Sequence, residues 1–332
     1  MSPKTNKPAL TVIILAALLS APSFGGDSAI LTPRSLRVTL APAIFAFQVQ
    51  DWGGWGQGRN VMLYNAGLGV EWGVSEWLNA GVNWIPGFTA WSQSDGGALE
   101  AFSDFSFGMK AGIISPNGKN ALLRARNTRL SVGLNMQGPV VSGEENRLAA
   151  DMRLWGAEAR VWYDYIFHRI FTLNMMLGVS YFPDQATGNT AFPVIGNGPK
   201  AKQPIGITFE AEGLFTYRIP RQPVTLRWGL PLTLAAYPIS NLSGGFPYSF
   251  TISPSMTVSF TQLLMPVDIT VKYDAAVAGN ATLPLHRVNV GGRVLFDFNK
   301  LLKPKAAKAP PPRAAKPRQP GSKQAQAGGG KK

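Results

Sequence analysis

The chain has 332 residues, no cysteine and a formal net charge of +14, which by itself is typical of a nucleic-acid-binding protein. Ten Lys/Arg lie in residues 300–332 without an acid, and Lys4 and Lys7 precede the first apolar run, so the rest of the chain carries only +2. These numbers exclude a basic nucleic-acid-binding domain, and the lack of cysteine excludes disulfides and thiol chemistry.

The first 25 residues have the layout of a secretory signal peptide. A basic start is followed by an apolar core from about Ala9 to Ala21 and by small residues at Ser23 and Gly25. The apolar run is shorter than the roughly 20 residues that a membrane-spanning helix needs. We therefore predict a signal peptide over 1–25, cleavage after Gly25 and a secreted mature chain.

Apolar and polar residues alternate with a period of two from Leu36 to Phe298 and predict about twelve β-strands. In the stretch MLYNAGLGVEWGV, for example, Leu68, Val70 and Trp72 share one face, while small, polar or acidic residues fill the other. An apolar face on every strand, opposite a polar face that carries charges, is unlike a water-soluble sandwich. It is typical of a membrane barrel whose apolar side faces lipid.

The connections between these strands are mostly long and short in alternation, as in an up-and-down barrel of an outer membrane. The connection at 114–128 is longer than expected for a short turn. Aromatic residues cluster near both ends of the strands, which matches interfacial anchoring. We predict an all-β, up-and-down antiparallel transmembrane barrel over 26–298, with both chain ends on the periplasmic side and the protein in the outer membrane.

The polar face carries nine bases and eight acids. Such charges must be paired or hydrated, because an unpaired buried charge is costly. They either fill the barrel as paired groups or line a pore that selects solutes, and the balance of signs argues against strong ion selectivity. The predicted inward charges are Arg37, Glu71, Lys110, Arg129, Glu158, Arg160, Asp164, Glu210, Glu212, Arg218, Arg227, Asp268, Lys272, Asp274, Arg287, Arg293 and Asp297.

One predicted wall is uncharged from Trp228 to Pro266. Pro231 and Pro254 lie on its two strands, and proline donates nothing to the strand ladder. We hypothesise a local gap at these prolines through which a poorly soluble ligand passes sideways, the alternative being two independently tolerated prolines. The predicted inward hydroxyl positions of this wall are Ser249, Thr251, Ser253, Ser255, Thr257, Ser259 and Thr261.

The stretch SDFSFGMKAGI contains Asp104, Gly108 and Lys110 in an Asp-x-x-x-Gly-x-Lys pattern, and LSVGLNMQGPVVSG follows as a glycine-rich strand. Over about 40 residues these motifs resemble the long-chain fatty acid transport and phenol-degradation-type transport barrels of outer membranes. The resemblance implies uptake of small hydrophobic molecules by a monomer. The fatty acid transporters have fourteen strands and an N-terminal hatch, and the roughly eight residues between Gly25 and the first strand here are too few for a hatch.

The chain ends with a closing strand and a basic tail. NVGGRVLF is similar to the assembly signal of final barrel strands, so we expect residues Asn289–Phe298 to contact the barrel-assembly machinery. Residues 299–332, rich in Lys, Pro and Ala, predict a disordered periplasmic tail that is either simply solvated or bound to anionic cell-wall polymer or lipid.

Taken together, these features predict a channel or transporter for small solutes, hydrophobic ones included, with no cofactor. The alternative is a structural or adhesive surface barrel with a plugged lumen. An enzyme is not expected, because the two histidines, His168 and His286, meet no suitable serine in this reading.

Overall fold

The computed structural model describes residues 28–49, 59–85, 88–92, 98–101, 104–139, 156–181, 205–238, 248–261, 263, 265–280 and 286–301. The predicted signal peptide and the tail beyond residue 301 lie outside these residues. Among the described residues, no helix is both long and apolar enough to cross a membrane. The one short helix described, α1 (Phe298–Leu301), follows the last strand.

The described residues form sixteen β-strand segments in a single sheet. Their bounds are β1 (Ser35–Val49), β2 (Arg59–Gly73), β3 (Leu78–Ile85), β4 (Phe88–Ser92), β5 (Ala98–Ala101), β6 (Asp104–Ser115), β7 (Leu123–Arg124), β8 (Thr128–Pro139), β9 (Gly156–His168), β10 (Phe171–Tyr181), β11 (Ile205–Arg218), β12 (Val224–Ala236), β13 (Tyr248–Ile252), β14 (Ser255–Phe260), β15 (Val267–Asn280) and β16 (His286–Asp297).

The sheet closes on itself, because β1 pairs antiparallel with both β2 and β16. Three pairs of segments each take the place of one strand. β3 and β4 both pair with β2, and β5 pairs with β4 in the same register in which β6 pairs with β3. β13 and β14 both lie between β12 and β15. Each of these three pairs is one interrupted wall, and β7 is an added two-residue strand. The described segments thus form a closed, twelve-stranded antiparallel barrel, and the predicted fold class is confirmed.

The barrel is apolar outside and polar inside. Lys110 is 0% exposed, whereas its neighbour Met109 is 45% exposed. The same inversion recurs on other strands, where Leu134 is 53% exposed and Asn135 is 5% exposed. An exterior of exposed Leu, Val, Phe and Met with polar residues buried within is the distribution expected of a barrel surrounded by lipid.

The two ends of the barrel differ in their connections. At one end, here called the short-turn end, strands are joined by brief turns at 74–77, 169–170 and 219–223. The opposite end is here called the long-loop end, and there the gaps between strands reach 182–204. Residues 116–127, at the short-turn end, form the longest connection on that side and carry β7, which pairs parallel with the end of β6.

Candidate functional site

The most enclosed charges lie near the short-turn end, on β1, β2 and β6. Arg37 Nη1 lies 3.4 Å from Glu71 Oε2, and Lys110 Nζ lies 3.3 Å from Glu71 Oε1. The Asn79 amide also donates to Glu71 Oε1, over 2.6 Å. Because Lys110 has no exposed surface, the carboxylate of Glu71 is what makes a cation tolerable at this depth.

A tryptophan faces the interior beside this cluster. Trp162 is buried, and Lys110 Nζ lies 5.6 Å from the centre of its ring, a cation–π distance. The ring crosses Gly133 so closely that a Cβ at that position would lie 2.8 Å from it. Trp162 shares the parity of the predicted inward charges on β9, so its inward direction agrees with the alternation of the strand, although the sequence analysis did not single it out.

The residues before β1, here called the N-terminal segment (residues 28–34), enter the barrel at the short-turn end. The buried hydroxyl of Ser28 donates to Asp164 Oδ2. The Leu31 amide donates to Asn79 Oδ1 over 3.2 Å. Since Asp164 and Asn79 are themselves buried polar residues of the interior face, the segment lies inside the wall.

The 116–127 connection and α1 hold the N-terminal segment in place at the short-turn end. The Asn120 side chain donates to the Ile30 carbonyl over 3.2 Å, and Asn299 donates to the Pro33 carbonyl over 2.9 Å. A Cβ at Gly112 would meet the Asn120 carbonyl oxygen and lie 2.7 Å from Ile30 Cγ1. Glycine is therefore required at position 112 for the segment and the connection to pack as they do.

The residues before β1 are too few for a hatch, and the N-terminal segment nevertheless enters the interior of the barrel. Seven residues suffice to bury Ile30 and Leu31 among polar groups, because the 116–127 connection covers them. That connection, longer than expected for a short turn, folds back over the end of the barrel. Left-handed backbone at Gly118, Asn120 and Asn127 permits this path.

On β15, which is separated from β1 by β16 alone, Asp274 is the centre of a second charged cluster. Its carboxylate accepts from Arg287 Nε and, over 2.8 Å, from the Asn289 amide. Lys272 Nζ lies 3.3 Å from Asp274 Oδ1, and the Ser253 side chain is hydrogen-bonded to the same carboxylate. Two cations and two neutral donors thus converge on one acid.

The predicted hydroxyl wall contributes hydrogen bonds to this side. Arg227 Nη2 donates to Ser259 Oγ over 2.6 Å and to Asp268 Oδ2 over 3.1 Å. Thr257 and Thr270 hydroxyls lie 2.9 Å apart on adjacent strands. Of the other predicted hydroxyl positions, Ser255 donates to a backbone carbonyl, Thr261 is exposed and half-buried side chains occur at Ser249 and Thr251.

Two neighbouring inward carboxylates on β11 have neutral partners. Glu210 accepts from the Thr233 hydroxyl over 3.2 Å, and Glu212 accepts from the Asn174 amide over 3.1 Å. In the part of the chain that the structure describes, no Lys or Arg forms an ion pair with either one. By contrast, an Arg or Lys forms an ion pair with each of five other inward acids, namely Glu71, Glu158, Asp164, Asp268 and Asp274.

Pro254 lies in the break between β13 and β14, and Pro231 lies within β12, opposite that break. Ser253 faces Pro231 and donates its amide to the Pro231 carbonyl over 2.9 Å, and Tyr273 donates to the Pro254 carbonyl over 3.0 Å. A hydrogen-bonded antiparallel pair normally exchanges two such bonds, and neither proline can supply the second. Ser253 is nevertheless 1% exposed, so the missing bonds weaken the wall here without opening it.

Tyr237 occupies the interior side at the long-loop end, one residue beyond β12. Its ring packs over Gly206, where a Cβ would lie 3.1 Å from Cε1. Burial, reinforced by the negative charge of Glu158, raises the pKa of Tyr237 well above the usual range for a phenol. The side chain therefore stays neutral even at the pH at which an ordinary tyrosine ionises, and the sequence analysis had not singled it out.

The remaining predicted inward charges fall into pairs or onto the rim. Arg160 Nη2 lies 2.6 Å from Glu158 Oε2, and Arg129 Nη1 lies 3.8 Å from Asp164 Oδ2. Arg218, at the end of β11, is exposed. Two further positions lie on β16, at Arg293, which faces Asp268, and at Asp297, which faces Ser35.

Both histidines lie away from these clusters. His168 is exposed at the end of β9. His286 is exposed on the outer face, where its Nδ1 lies 2.7 Å from the Tyr273 hydroxyl and the two rings stack.

No protein-family model and no curated protein matches this sequence. Among solved structures, the fold is similar to an outer-membrane channel from Pseudomonas putida F1, with a TM-score of 0.56 and 10% identity over 82% of this chain and 99% of that one. It is also similar to the transport unit of the Escherichia coli autotransporter AIDA-I (TM-score 0.45, 11% identity, 87% and 98% covered). A third similar structure is the CymD monoaromatic hydrocarbon channel (TM-score 0.38, 13% identity, 81% and 89% covered).

At these identities the likeness is one of fold. The chain resembles outer-membrane β-barrel channels, and it resembles the Pseudomonas putida channel over nearly that protein's whole length.

Proposed function

We propose that the protein is an outer-membrane channel for small solutes, hydrophobic ones among them. The observation that supports this most directly is the closed twelve-stranded wall with an apolar exterior and an ionised, hydrogen-bonded interior. Such an exterior is stable only in lipid, and such an interior only if it is hydrated or internally paired. The similarity in fold to an outer-membrane channel supports the same proposal.

The charges of the interior predict weak ion selectivity. Most of the described acids are neutralised within the wall, as where Asp274 meets Arg287 and Lys272. A permeating ion therefore meets little net field of either sign. Reconstitution in planar bilayers should give discrete current steps with a cation-to-anion permeability ratio near one. A strongly selective current would contradict the proposal.

Passage of hydrophobic solutes is proposed from the interruption at Pro231 and Pro254. The sheet there lacks two ladder hydrogen bonds on adjacent rungs. One is missing between β12 and the β13–β14 strand, and the other between that strand and β15. Separating strands costs least where bonds are already missing, so a solute that avoids water would leave the barrel sideways at this point. Two measurements separate this route from an axial pore. An axial pore lets hydrophilic solutes swell liposomes, whereas the sideways route gives uptake of a labelled aromatic hydrocarbon.

A second candidate function is a structural or adhesive surface barrel, and it rests on one observation. The N-terminal segment, Trp162 and the fully buried Lys110 fill the interior near the short-turn end. A barrel sealed in this way would show neither liposome swelling nor current steps. The same reconstitution therefore decides between the two functions.

The other partners stay proposals. We propose a monomer that is inserted through Asn289–Phe298, and a tail at 299–332 that associates with anionic cell-wall polymer. Neither the channel nor the surface barrel requires a cofactor or an enzymatic site.

A further inference from the structure

We propose that the 116–127 connection and the adjoining 74–77 turn form a docking surface for anionic phospholipid headgroups of the membrane leaflet at the short-turn end. Its apolar part is here called the interfacial patch and consists of Val74, Trp77, Leu122 and Leu123. All four side chains are at least 41% exposed, and Leu123 is 60% exposed.

The two segments adjoin through one residue of β6. The Gly112 amide donates to the Trp77 carbonyl over 2.8 Å, and the Leu122 amide donates to the Gly112 carbonyl over 3.1 Å. β7 thus lies beside the end of β6, next to the 74–77 turn that precedes β3. The interfacial patch continues the exposed apolar face of β2, where Trp72 is 55% exposed.

The charges around the patch specify the partner. Lys119, Arg124 and Arg126 are all exposed. Residues 114–128 contain no acid, and Glu76 is the one acid in the neighbouring turn. Exposed leucines and a tryptophan next to unopposed cations match a surface that is apolar on one side and anionic on the other.

A phospholipid leaflet fits better than a soluble partner because the patch is continuous with the lipid-facing wall. Trp77 is also the residue type enriched at the boundary between acyl chains and headgroups. A lipid held here would also stabilise the N-terminal segment indirectly, since Asn120 of the same connection donates to the Ile30 carbonyl.

The first test measures depth in the membrane. The chain has no cysteine, so Leu123→Cys and Asn117→Cys each offer a single site for an environment-sensitive fluorophore. In liposomes with brominated acyl chains, the label at position 123 should be quenched at least twice as strongly as the label at position 117. Equal or absent quenching at the two positions would overturn the proposal.

The second test measures charge recognition by the full-length protein. Arg124→Gln/Arg126→Gln is compared with Arg124→Lys/Arg126→Lys, which keeps both positive charges at the same two exposed positions. Each cation near an anionic surface contributes about fivefold, so the first variant should bind short-chain phosphatidylglycerol about 30-fold more weakly than wild type. The control variant should retain most of that affinity.

Phosphatidylcholine and soluble cell-wall fragments serve as competing ligands. Equal binding of both phospholipids, equal losses in the two variants, or displacement of phosphatidylglycerol by cell-wall fragments would each overturn a lipid-specific surface.

Discussion

Replacing Glu71 with glutamine removes one charge and almost no volume from the most enclosed cluster of the barrel. The carboxylate of Glu71 is 7% exposed and lies 3.3 Å from Nζ of Lys110, which is 0% exposed. Removing one partner of a buried ion pair costs about 3–5 kcal/mol, because the remaining charge stays desolvated. We expect Glu71→Gln to lower the free energy of unfolding by that amount.

Urea unfolding of the refolded protein in detergent micelles or liposomes measures this change. With a slope of about 3 kcal/mol per molar urea, the midpoint should fall by about 1 M or more. Asp268→Asn is the matched control. In its ion pair the side chain of Arg227 is 31% exposed and that of Asp268 is 27% exposed, so the pair should contribute only about 0.5 kcal/mol to the free energy of unfolding. If the two variants unfold at the same urea concentration, the buried pair does not carry the stability assigned to it. The double variant Glu71→Gln/Lys110→Met should recover most of the loss.

Three further predictions concern the path through the barrel. Gly112→Ala should raise single-channel conductance, because its methyl group would displace the N-terminal segment. Gly291→Ala is the control and should leave conductance unchanged, because its Cβ would lie 3.8 Å from the nearest neighbouring atom. Equal conductances of the two variants would contradict this packing. Pro231→Val/Pro254→Val should restore one ladder bond at each position, worth about 1 kcal/mol each, and reduce uptake of a hydrophobic solute; unchanged uptake would rule out the sideways route. Tyr237→Ala should widen the long-loop end and raise conductance, and wild-type conductance should show no phenol titration between pH 9 and 11, where an ordinary tyrosine ionises, because the raised pKa keeps Tyr237 neutral.

The strand number and the inside–outside assignment could be predicted because both are local. A period of two places Met109 and Lys110 on opposite faces whatever the rest of the chain does. The same parity already contained Trp162 and Tyr237, whose inward direction follows from alternation. Aromatic residues were expected outside in a membrane barrel, which is why these two were overlooked.

The N-terminal segment could not be predicted, because nothing in its sequence is periodic and its partners are distant. Ser28 contacts Asp164, which is 136 residues further along the chain, and Leu31 contacts Asn79, 48 residues away. The pairing of the interior charges was equally hidden. Alternation says that Glu71 and Asp274 point inward, but the register of neighbouring strands decides which cations reach them.

The contacts of the N-terminal segment with α1, beside the pairing of β1 with β16, have a consequence for biogenesis. Asn299 donates to the Pro33 carbonyl, and the Phe298 amide donates to the Arg34 carbonyl over 3.3 Å, so nearly the full length of the folded chain separates the partners. Contacts with so large a separation in sequence form late, after the hairpins between them. The cylinder therefore cannot be sealed before its final strand has been synthesised and delivered. Until that moment the first strand has an unpaired edge, and a chaperone or the insertion apparatus must shield it from other chains.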